Sequence, residues 1–139
     1  MALIVDSSVV LAWALDTQAN PLTRMSLVKA ITEGFMAPHH FPIEVANGLL
    51  RAERQHRASR NENDLFLLEL KKMDFQLDEP IDADRLDTIV TLGRQYMLSG
   101  YDAAYLELAL RTRLPLATRD NALSEATKKA GGVLFSPSL

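Results

Sequence analysis

The chain has 139 residues, 47% of them hydrophobic and 24% charged, and its formal net charge is −3. These values predict one globular domain over residues 1–139 and argue against disorder and against a uniformly basic nucleic-acid-binding protein. No apolar run approaches the ~20 residues that cross a bilayer, no cysteine is present, and the N-terminus lacks the basic start of a signal peptide. We therefore expect a cytoplasmic protein with no membrane association.

The first half of the chain alternates short apolar runs with longer helical patterns. A buried strand is predicted at residues 3–5, and a helix follows at 7–15. A second helix at 21–32 precedes a second strand at 35–37, and a third helix at 42–57 has proline in its first turn. The predicted apolar face of the second helix comprises Leu22, Met25, Leu27, Val28 and Ile31.

The middle of the chain continues the alternation. A helix is predicted at 61–72 and a short strand at 75–77. A further helix begins at Asp82 and is broken at Gly100, and the next helix covers residues 101–113. The helix that begins at Asp82 has apolar residues at Leu86, Ile89, Val90 and Met97.

The last part of the chain predicts a strand at 115–118, a helix at 121–130 and a final strand at 133–135. Short apolar strands that alternate with helices favour a three-layer α/β fold, with a parallel sheet of four to five strands and helices on both faces. Ligands of such sheets bind outside the carboxyl ends of the strands, where the strand order reverses.

Four acidic residues fall at strand ends or helix starts, and these are Asp6, Glu44, Asp102 and Asp120. Each has a simpler interpretation, because Asp6, Asp102 and Asp120 could cap helices and Glu44 could lie on a solvated stripe with Asn47 and Arg51. Together, however, they are expected at one edge of the sheet. Carboxylates that close repel one another unless they are protonated or bind cations, and their oxygens suit Mg²⁺ or Mn²⁺.

Other polar residues give weaker signals. The segment 51–60 contains Arg51, Arg54 and Arg57, and RNA contact, contact with a protein partner and an ordinary solvated helix all remain open. Arg119 is another candidate phosphate contact. The pair His39–His40 is expected to lie in a loop without a catalytic role, and Asp78–Glu79 is expected at the solvated surface.

Four strings, in this order and spacing, resemble the PIN-domain family, and they are VDSSVVLAW, PIEVANGLLRA, YDAAYLELA and ATRDNALSEA. The resemblance is closest to the VapC toxins of type II toxin–antitoxin modules and runs from Ile4 to about Phe135. The region between Ala58 and Asp82 carries no family signature.

The resemblance implies a ribonuclease that depends on Mg²⁺ or Mn²⁺ and leaves 5′-phosphate and 3′-hydroxyl ends. Asp6, Glu44, Asp102 and Asp120 match the family's acids, which hold metal and carry the catalysis. Ser8, Asn47 and Thr118 match polar positions that orient carboxylates or water. Two metal ions can activate water, relieve phosphoryl charge and stabilise the leaving oxygen.

The resemblance also implies partners. Transfer or ribosomal RNA is the expected substrate, and its cleavage would inhibit translation. A small VapB-like antitoxin is expected to lie across the acidic groove, and a homodimer is expected, with Leu65 and Leu68 on a candidate contact surface.

Rival classes fit less well. A receiver domain needs adjacent acids after its first strand, whereas Ser7 and Ser8 follow Asp6, and a haloacid-dehalogenase phosphatase needs an aspartate where Ser8 stands. No glycine-rich phosphate loop is present. The remaining alternative is a PIN-like module that binds RNA or a partner without cleaving.

Overall fold

The computed structural model describes residues 2–15 and 19–137. Its strands are β1 (Ile4–Val5), β2 (Phe35–Ala37), β3 (Phe75–Leu77) and β4 (Leu116–Ala117). Its helices are α1 (Ser7–Ala14), α2 (Pro21–Glu33), α3 (Phe41–Arg54), α4 (Arg60–Lys72), α5 (Ala83–Tyr96), α6 (Gly100–Thr112) and α7 (Asn121–Lys129). The predicted single domain over residues 1–139 stays a prediction, since Met1 and residues 16–18 and 138–139 lie outside the described residues.

The four described strands form one parallel sheet in the order β3-β2-β1-β4. The predicted α/β class is therefore confirmed, with helices flanking the sheet. The chain moves from β1 to β2 and β3 on one side and returns to β4 on the other, so the order reverses at β1 and β4. The edge formed by their carboxyl ends is where a ligand site is expected.

Alternate side chains of β1 enter two separate cores because a strand has a two-residue period. Leu3 and Val5 pack into a core with residues of β2 and of helices α1, α3 and α4. Ile4 packs on the opposite face with Tyr105 and Leu123, which belong to α6 and α7. The sheet is thus covered on both faces, which explains why its strands read as continuous apolar runs.

Local sequence signals determine where the helices begin and end. Asn20 and Ser59 cap α2 and α4 with reciprocal capping boxes, and Asp82 caps α5. Gly34 ends α2 with φ 76°, a left-handed value that costs glycine little. His56 has φ 55°, and helix α3 ends at Arg54 rather than near residue 57.

The predicted final strand at 133–135 is wrong. Within the described residues this segment forms only an isolated bridge between Leu116 and Leu134. The backbone N–H of Phe135 donates to the carbonyl of Leu116, but Pro137 follows and cannot donate to a ladder. The sheet therefore has four strands in the described part of the chain.

Several predicted apolar positions are exposed rather than buried. Val28 and Ile31 on α2 and Leu86, Val90 and Met97 in or after α5 are all exposed. Helical periodicity predicted their helices correctly. The side of each helix that is buried is narrower, however, than the apolar face that the sequence predicted. Leu65 and Leu68 of α4 are also exposed.

Asp78 is buried, so its predicted place at the solvated surface is wrong. Its Oδ2 lies 2.5 Å from a guanidinium nitrogen of both Arg85 and Arg111. The same arginines pair with the buried Glu107, at 3.2 and 2.7 Å. This four-residue network joins the end of β3 to α5 and α6, and hydrogen bonds to Glu107 and Asp78 raise the pKa of Arg111.

In the part of the chain that the structure describes, none of the helices has both the length and the apolar character needed to cross a membrane.

Candidate functional site

Asp6 directly follows β1 and is held by three hydrogen bonds. Ser8 Oγ donates to Asp6 Oδ1 over 2.6 Å, and the N–H of Val9 donates to the same oxygen over 3.1 Å. Thr118 Oγ1 donates to Asp6 Oδ2. Asp6 is therefore the N-cap of α1, as the simpler interpretation required, yet its second oxygen is fixed by a residue 112 positions away. The carboxylate has one defined orientation.

Burial raises the pKa of Asp6 from 3.8 to about 6. Hydrogen bonds from Ser8, Thr118 and Val9 oppose this rise, and the negative charge of Asp102 adds to it. Only 4% of Asp6 is exposed. A carboxylate in such surroundings gains from a nearby cation, which removes the cost of its buried charge.

The segment after β4 contacts the Asp6 network directly. Thr118 Oγ1 also accepts a hydrogen bond from the N–H of Asp120 at 3.0 Å, and Ser8 Oγ accepts from the N–H of Arg119 at 3.2 Å. Asp120 Oδ1 accepts from the N–H of Leu123 at 2.8 Å, so Asp120 caps α7. The carboxyl ends of β1 and β4 thus form one hydrogen-bonded unit.

Glu44 lies in the first turn of α3 and is bound by a tyrosine of α6. The hydroxyl of Tyr105 donates to Glu44 Oε1 over 2.8 Å. Burial raises the pKa of Tyr105 well above its usual value, and the charge of Glu44 raises it further, so this hydroxyl keeps its proton. Tyr105 is 1% exposed and therefore holds the carboxylate from a rigid position.

His40 also contacts Glu44, although the sequence predicted no role for the pair His39–His40. His40 Nε2 lies 3.2 Å from Glu44 Oε1, but the geometry is not that of a hydrogen bond, and the buried nitrogen has no such partner among the described residues. The imidazole packs against the rings of Tyr101 and Tyr105, with centroids 5.5 and 5.4 Å away. His40 therefore forms part of the wall around Glu44.

Asp102 occupies the first turn of α6 but does not cap it. Ser99 is the cap, and its Oγ accepts from the N–H of Asp102 at 3.1 Å. Burial raises the pKa of Asp102, and the charges of Asp120 and Glu44 raise it further. A hydrogen bond with Ser99 and the charge of His40 oppose this rise, so the Asp102 side chain interacts with Ser99 as well as with the two other acids.

The four predicted acids form one electrostatic cluster centred on Asp102, which interacts with Asp120, Glu44 and Asp6. Carboxylate oxygens are the donors that Mg²⁺ and Mn²⁺ prefer, and burial together with neighbouring negative charge disfavours the ionised forms of Asp6 and Asp102. Among residues 2–15 and 19–137, however, no three His, Asp or Glu side chains already stand in an arrangement that could hold a metal ion. The donor chemistry fits a divalent cation, whereas the carboxylates would have to approach one another to ligate it.

A groove of about 300 Å³ opens beside Glu44. Its lining includes Asn47 and Arg51 of α3, which lie three and seven residues after Glu44 on one helix face. Asn47 is exposed, and no hydrogen bond from it to an acid of the cluster is seen. Of the predicted arginines, Arg51 alone is among the residues that line this groove.

The other predicted arginines are dispersed. Arg54 is the last residue of α3, and Arg57 lies in the following loop, where its Nε donates to Gln55 Oε1 over 2.9 Å. Arg119 is exposed between Thr118 and Asp120. Arg51, Arg54 and Arg57 therefore do not lie on one helix, as the predicted helix over residues 42–57 required, because α3 ends at Arg54 and the chain turns at His56.

Tyr105 and His40 are the site residues that sequence reasoning missed. Tyr105 stands in YDAAYLELA, three residues after Asp102, and this spacing places both on one side of a helix. His40 stands four residues before Glu44, which could have indicated a contact with it. Neither pairing with Glu44 could be derived without knowing how α3 and α6 pack.

The fold and the acidic edge of the sheet define the class of the protein. It is a parallel α/β domain with a cluster of acids where the strand order reverses. The sequence model of the PIN domain matches residues 3–129, and the chain belongs to the PIN domain family. PIN domains are generally nucleases that use divalent metals, which agrees with acids at this edge.

The structure is similar to the crystal structure of PAE2754 from Pyrobaculum aerophilum, with a TM-score of 0.72 and 24% sequence identity. The match covers 96% of this chain and 88% of that chain, and at this identity it shows the fold. A search of curated proteins gave no match.

Proposed function

We propose that the protein is an endoribonuclease that depends on Mg²⁺ or Mn²⁺ and is the toxin of a type II toxin–antitoxin module of the VapC type. Its substrate would be transfer or ribosomal RNA, and hydrolysis of the phosphodiester bond would inhibit translation. The observation that carries this proposal is the cluster in which Asp102 interacts with Asp6, Glu44 and Asp120. Burial raises the pKa values of Asp6 and Asp102, and carboxylates with raised pKa values beside other acids are typical of functional sites.

Each acid has a distinct proposed part. Asp6, Asp102 and Asp120 would hold the cation, and Glu44 would either bind it or accept a proton from water. When bound, the divalent ions supply an activated water molecule and neutralise charge on the phosphoryl group. Metal sites depend on hydrogen bonds that orient their ligands, and the bonds from Ser8 and Thr118 to Asp6 would serve this purpose.

Asn47 and the arginines would contribute to RNA binding. Arg51 lies in the groove beside Glu44, which supports a direct phosphate contact. Arg54, Arg57 and Arg119 are exposed and would make further contacts with the RNA backbone. Asn47 would orient water or nucleotide groups beside the acids.

The proposed partners follow from the toxin assignment. A small VapB-like antitoxin would lie across the acidic groove, where an arginine could neutralise the carboxylates in place of metal. A homodimer in the cytoplasm is the proposed working form. The exposed Leu65 and Leu68 on α4 supply an apolar surface for one of these contacts.

Cleavage of total RNA and of purified transfer RNA tests the nuclease. Antitoxin-free protein would be incubated with Mg²⁺, Mn²⁺ or a chelator, beside Asp6→Asn and Asp102→Asn. Glu125→Gln, at an exposed position on α7, is the matched control. Discrete fragments with 5′-phosphate ends that disappear with chelator and in both site variants would support the proposal. Cleavage that survives both substitutions would contradict it.

One observation favours a second candidate, a PIN-like module that binds RNA or a partner without cleaving. The described residues contain no group of three ligands already arranged for metal. A folded protein that binds Mn²⁺ and RNA but cleaves none of the tested RNAs would favour this candidate.

A further inference from the structure

The groove beside Glu44 has features that the acidic cluster does not explain. It is bounded by one face of α3, by α1 and by the beginning of α6. Its volume of about 300 Å³ lies at the lower end of the range for small-ligand pockets. Since Glu44 lines it, the groove is continuous with the proposed site of phosphodiester cleavage.

Tyr101 presents an aromatic ring at this groove. The residue is 62% exposed, and its ring is fixed at one side by His40, whose centroid lies 5.5 Å away. Its neighbour in the chain is Asp102, the centre of the acidic cluster. A single exposed aromatic residue is ordinary at a protein surface, but this one adjoins both a groove and a site for phosphate chemistry.

The facing side of the groove carries polar groups in a line. Glu44, Asn47 and Arg51 follow one another on α3, and a helix rises ~1.5 Å per residue, so Glu44 and Arg51 are about 10 Å apart along the axis. The stacked bases of a nucleic-acid strand are ~3.4 Å apart, so this length accommodates more than one nucleotide. Glu44, at one end of this line, lies beside the proposed cation, and the guanidinium of Arg51 lies at the other end. A phosphate chain could therefore run from the cation to Arg51.

The floor of the groove is shaped by a close approach between helices. A Cβ atom at Gly48 would lie 2.3 Å from Leu11 Cδ1, so glycine allows Leu11 of α1 to pack directly against α3. Gly48 and Leu11 both line the groove. The surface between Asn47 and Arg51 is therefore apolar and free of a protruding side chain at position 48, which suits a flat base.

We propose that this groove binds the nucleotide next to the cleaved bond, with its base stacked on Tyr101 and a phosphate on Arg51. The inference rests on the proposed ribonuclease function and adds a preference for single-stranded RNA. Stacking on a side chain requires a base face that is not already covered by a neighbouring base pair. The amide of Asn47 supplies both a donor and an acceptor for a base edge or a 2′-hydroxyl.

Equilibrium binding of a short fluorescein-labelled RNA tests the groove separately from catalysis. The protein would carry Asp6→Asn so that the RNA stays intact, and binding would be measured by anisotropy with Mg²⁺. Tyr101→Ala is expected to weaken single-strand binding about 5- to 150-fold, because stacking is worth ~1–3 kcal/mol per base. Tyr101→Phe, which keeps the ring, should bind within twofold of the parent, as should Val133→Ala, an exposed apolar control.

The salt dependence of the same titration tests Arg51. Arg51→Ala should reduce the slope of log affinity against log salt by about 0.7, the value for one phosphate contact on a single strand. Arg94→Ala, on α5, is the matched arginine control and should leave the slope unchanged. Tyr101→Ala should lower the affinity without changing the slope, since stacking releases no counterions.

Three results would overturn the proposed subsite. They are equal affinity of Tyr101→Ala and its parent, an unchanged salt slope in Arg51→Ala, and equal affinity for the single strand and its duplex. The ribonuclease proposal is tested independently, by cleavage with the otherwise unaltered protein. There, Tyr101→Ala should raise KM with little change in kcat, whereas Asp6→Asn should abolish kcat.

Discussion

Tyr105 donates its hydroxyl hydrogen to Glu44 Oε1 over 2.8 Å and so joins α6 to α3 at the acidic edge of the sheet. Ser8 and Thr118 hold Asp6 in a comparable way from the other side. Two of the four acids are thus fixed by hydroxyl groups that carry no charge. Neutral donors orient a carboxylate without competing with a cation for it.

Removal of the Tyr105 hydroxyl should impair activity more than stability. Tyr105→Phe leaves Glu44 Oε1 without its donor, and we expect kcat/KM for RNA cleavage to fall about 10-fold or more. The free energy of unfolding should change by less than about 1.5 kcal/mol, because the aromatic ring stays in place. Cleavage rates and urea denaturation of the same preparations measure both effects.

Tyr96→Phe is the control for this substitution, since the Tyr96 hydroxyl contacts Gln95 Nε2 at 3.3 Å, in an exposed hydrogen bond. It should match the unaltered protein in both measurements. An equal loss of activity in the two variants would contradict a specific role for Tyr105.

The buried charge of Asp6 predicts a pH-dependent stability. Burial raises the pKa of Asp6 from 3.8 to about 6, so the folded protein keeps a proton that the unfolded chain releases in this range. The contribution of Asp6 to the free energy of unfolding therefore decreases as the pH rises from about 4 to 6. The decrease is up to about 3 kcal/mol, at ~1.4 kcal/mol per pKa unit. Asp6→Asn lacks this titration.

Urea denaturation with chelator at pH 4 and pH 7 checks this prediction. The stability of the unaltered protein relative to Asp6→Asn should decrease between the two pH values. A constant difference would mean that the pKa of Asp6 is not raised in the folded protein.

A divalent cation should offset the repulsion in the cluster. Ligands that bind only the folded state raise its stability, so Mn²⁺ should raise the Tm of the unaltered protein at neutral pH. Asp102→Asn should reduce this shift, because Asp102 interacts with both Asp120 and Glu44. Differential scanning fluorimetry across a Mn²⁺ titration provides the measurement.

The exposed carboxylate Glu125, which pairs with Lys128 at 3.6 Å, offers the matched variant Glu125→Gln. Its Mn²⁺-dependent shift should equal that of the unaltered protein. A shift that is the same in Asp102→Asn would show that the cation binds elsewhere.

The ion network around Asp78 should matter for stability and not for chemistry. Asp78→Ala leaves Arg85 and Arg111 with one carboxylate instead of two, and breaking a buried pair costs about 3 kcal/mol. Glu69→Ala, which removes an exposed partner of Lys72, should cost less than about 1 kcal/mol. Urea denaturation compares the two, and a smaller loss in Asp78→Ala than in Glu69→Ala would contradict the role of the network.

Most of the secondary structure, and the edge of the sheet at which the acids lie, could be predicted from the order of the amino acids. Apolar runs and helical periodicity predicted the four strands, and the acids adjoin strand ends or helix starts because they stand beside those elements in the chain. The prediction failed for residues 133–135, where an apolar triplet is too short to distinguish a strand from a single bridge.

The contacts between side chains far apart in the chain could not be predicted in this way. Thr118 binds Asp6 from 112 residues away, Tyr105 binds Glu44 from 61 residues away, and Arg111 binds Asp78 from 33 residues away. These contacts depend on how the helices cross the sheet, which periodicity does not encode. The same packing left Val28 and Ile31 exposed, because a helix buries only the part of its apolar face that another element covers.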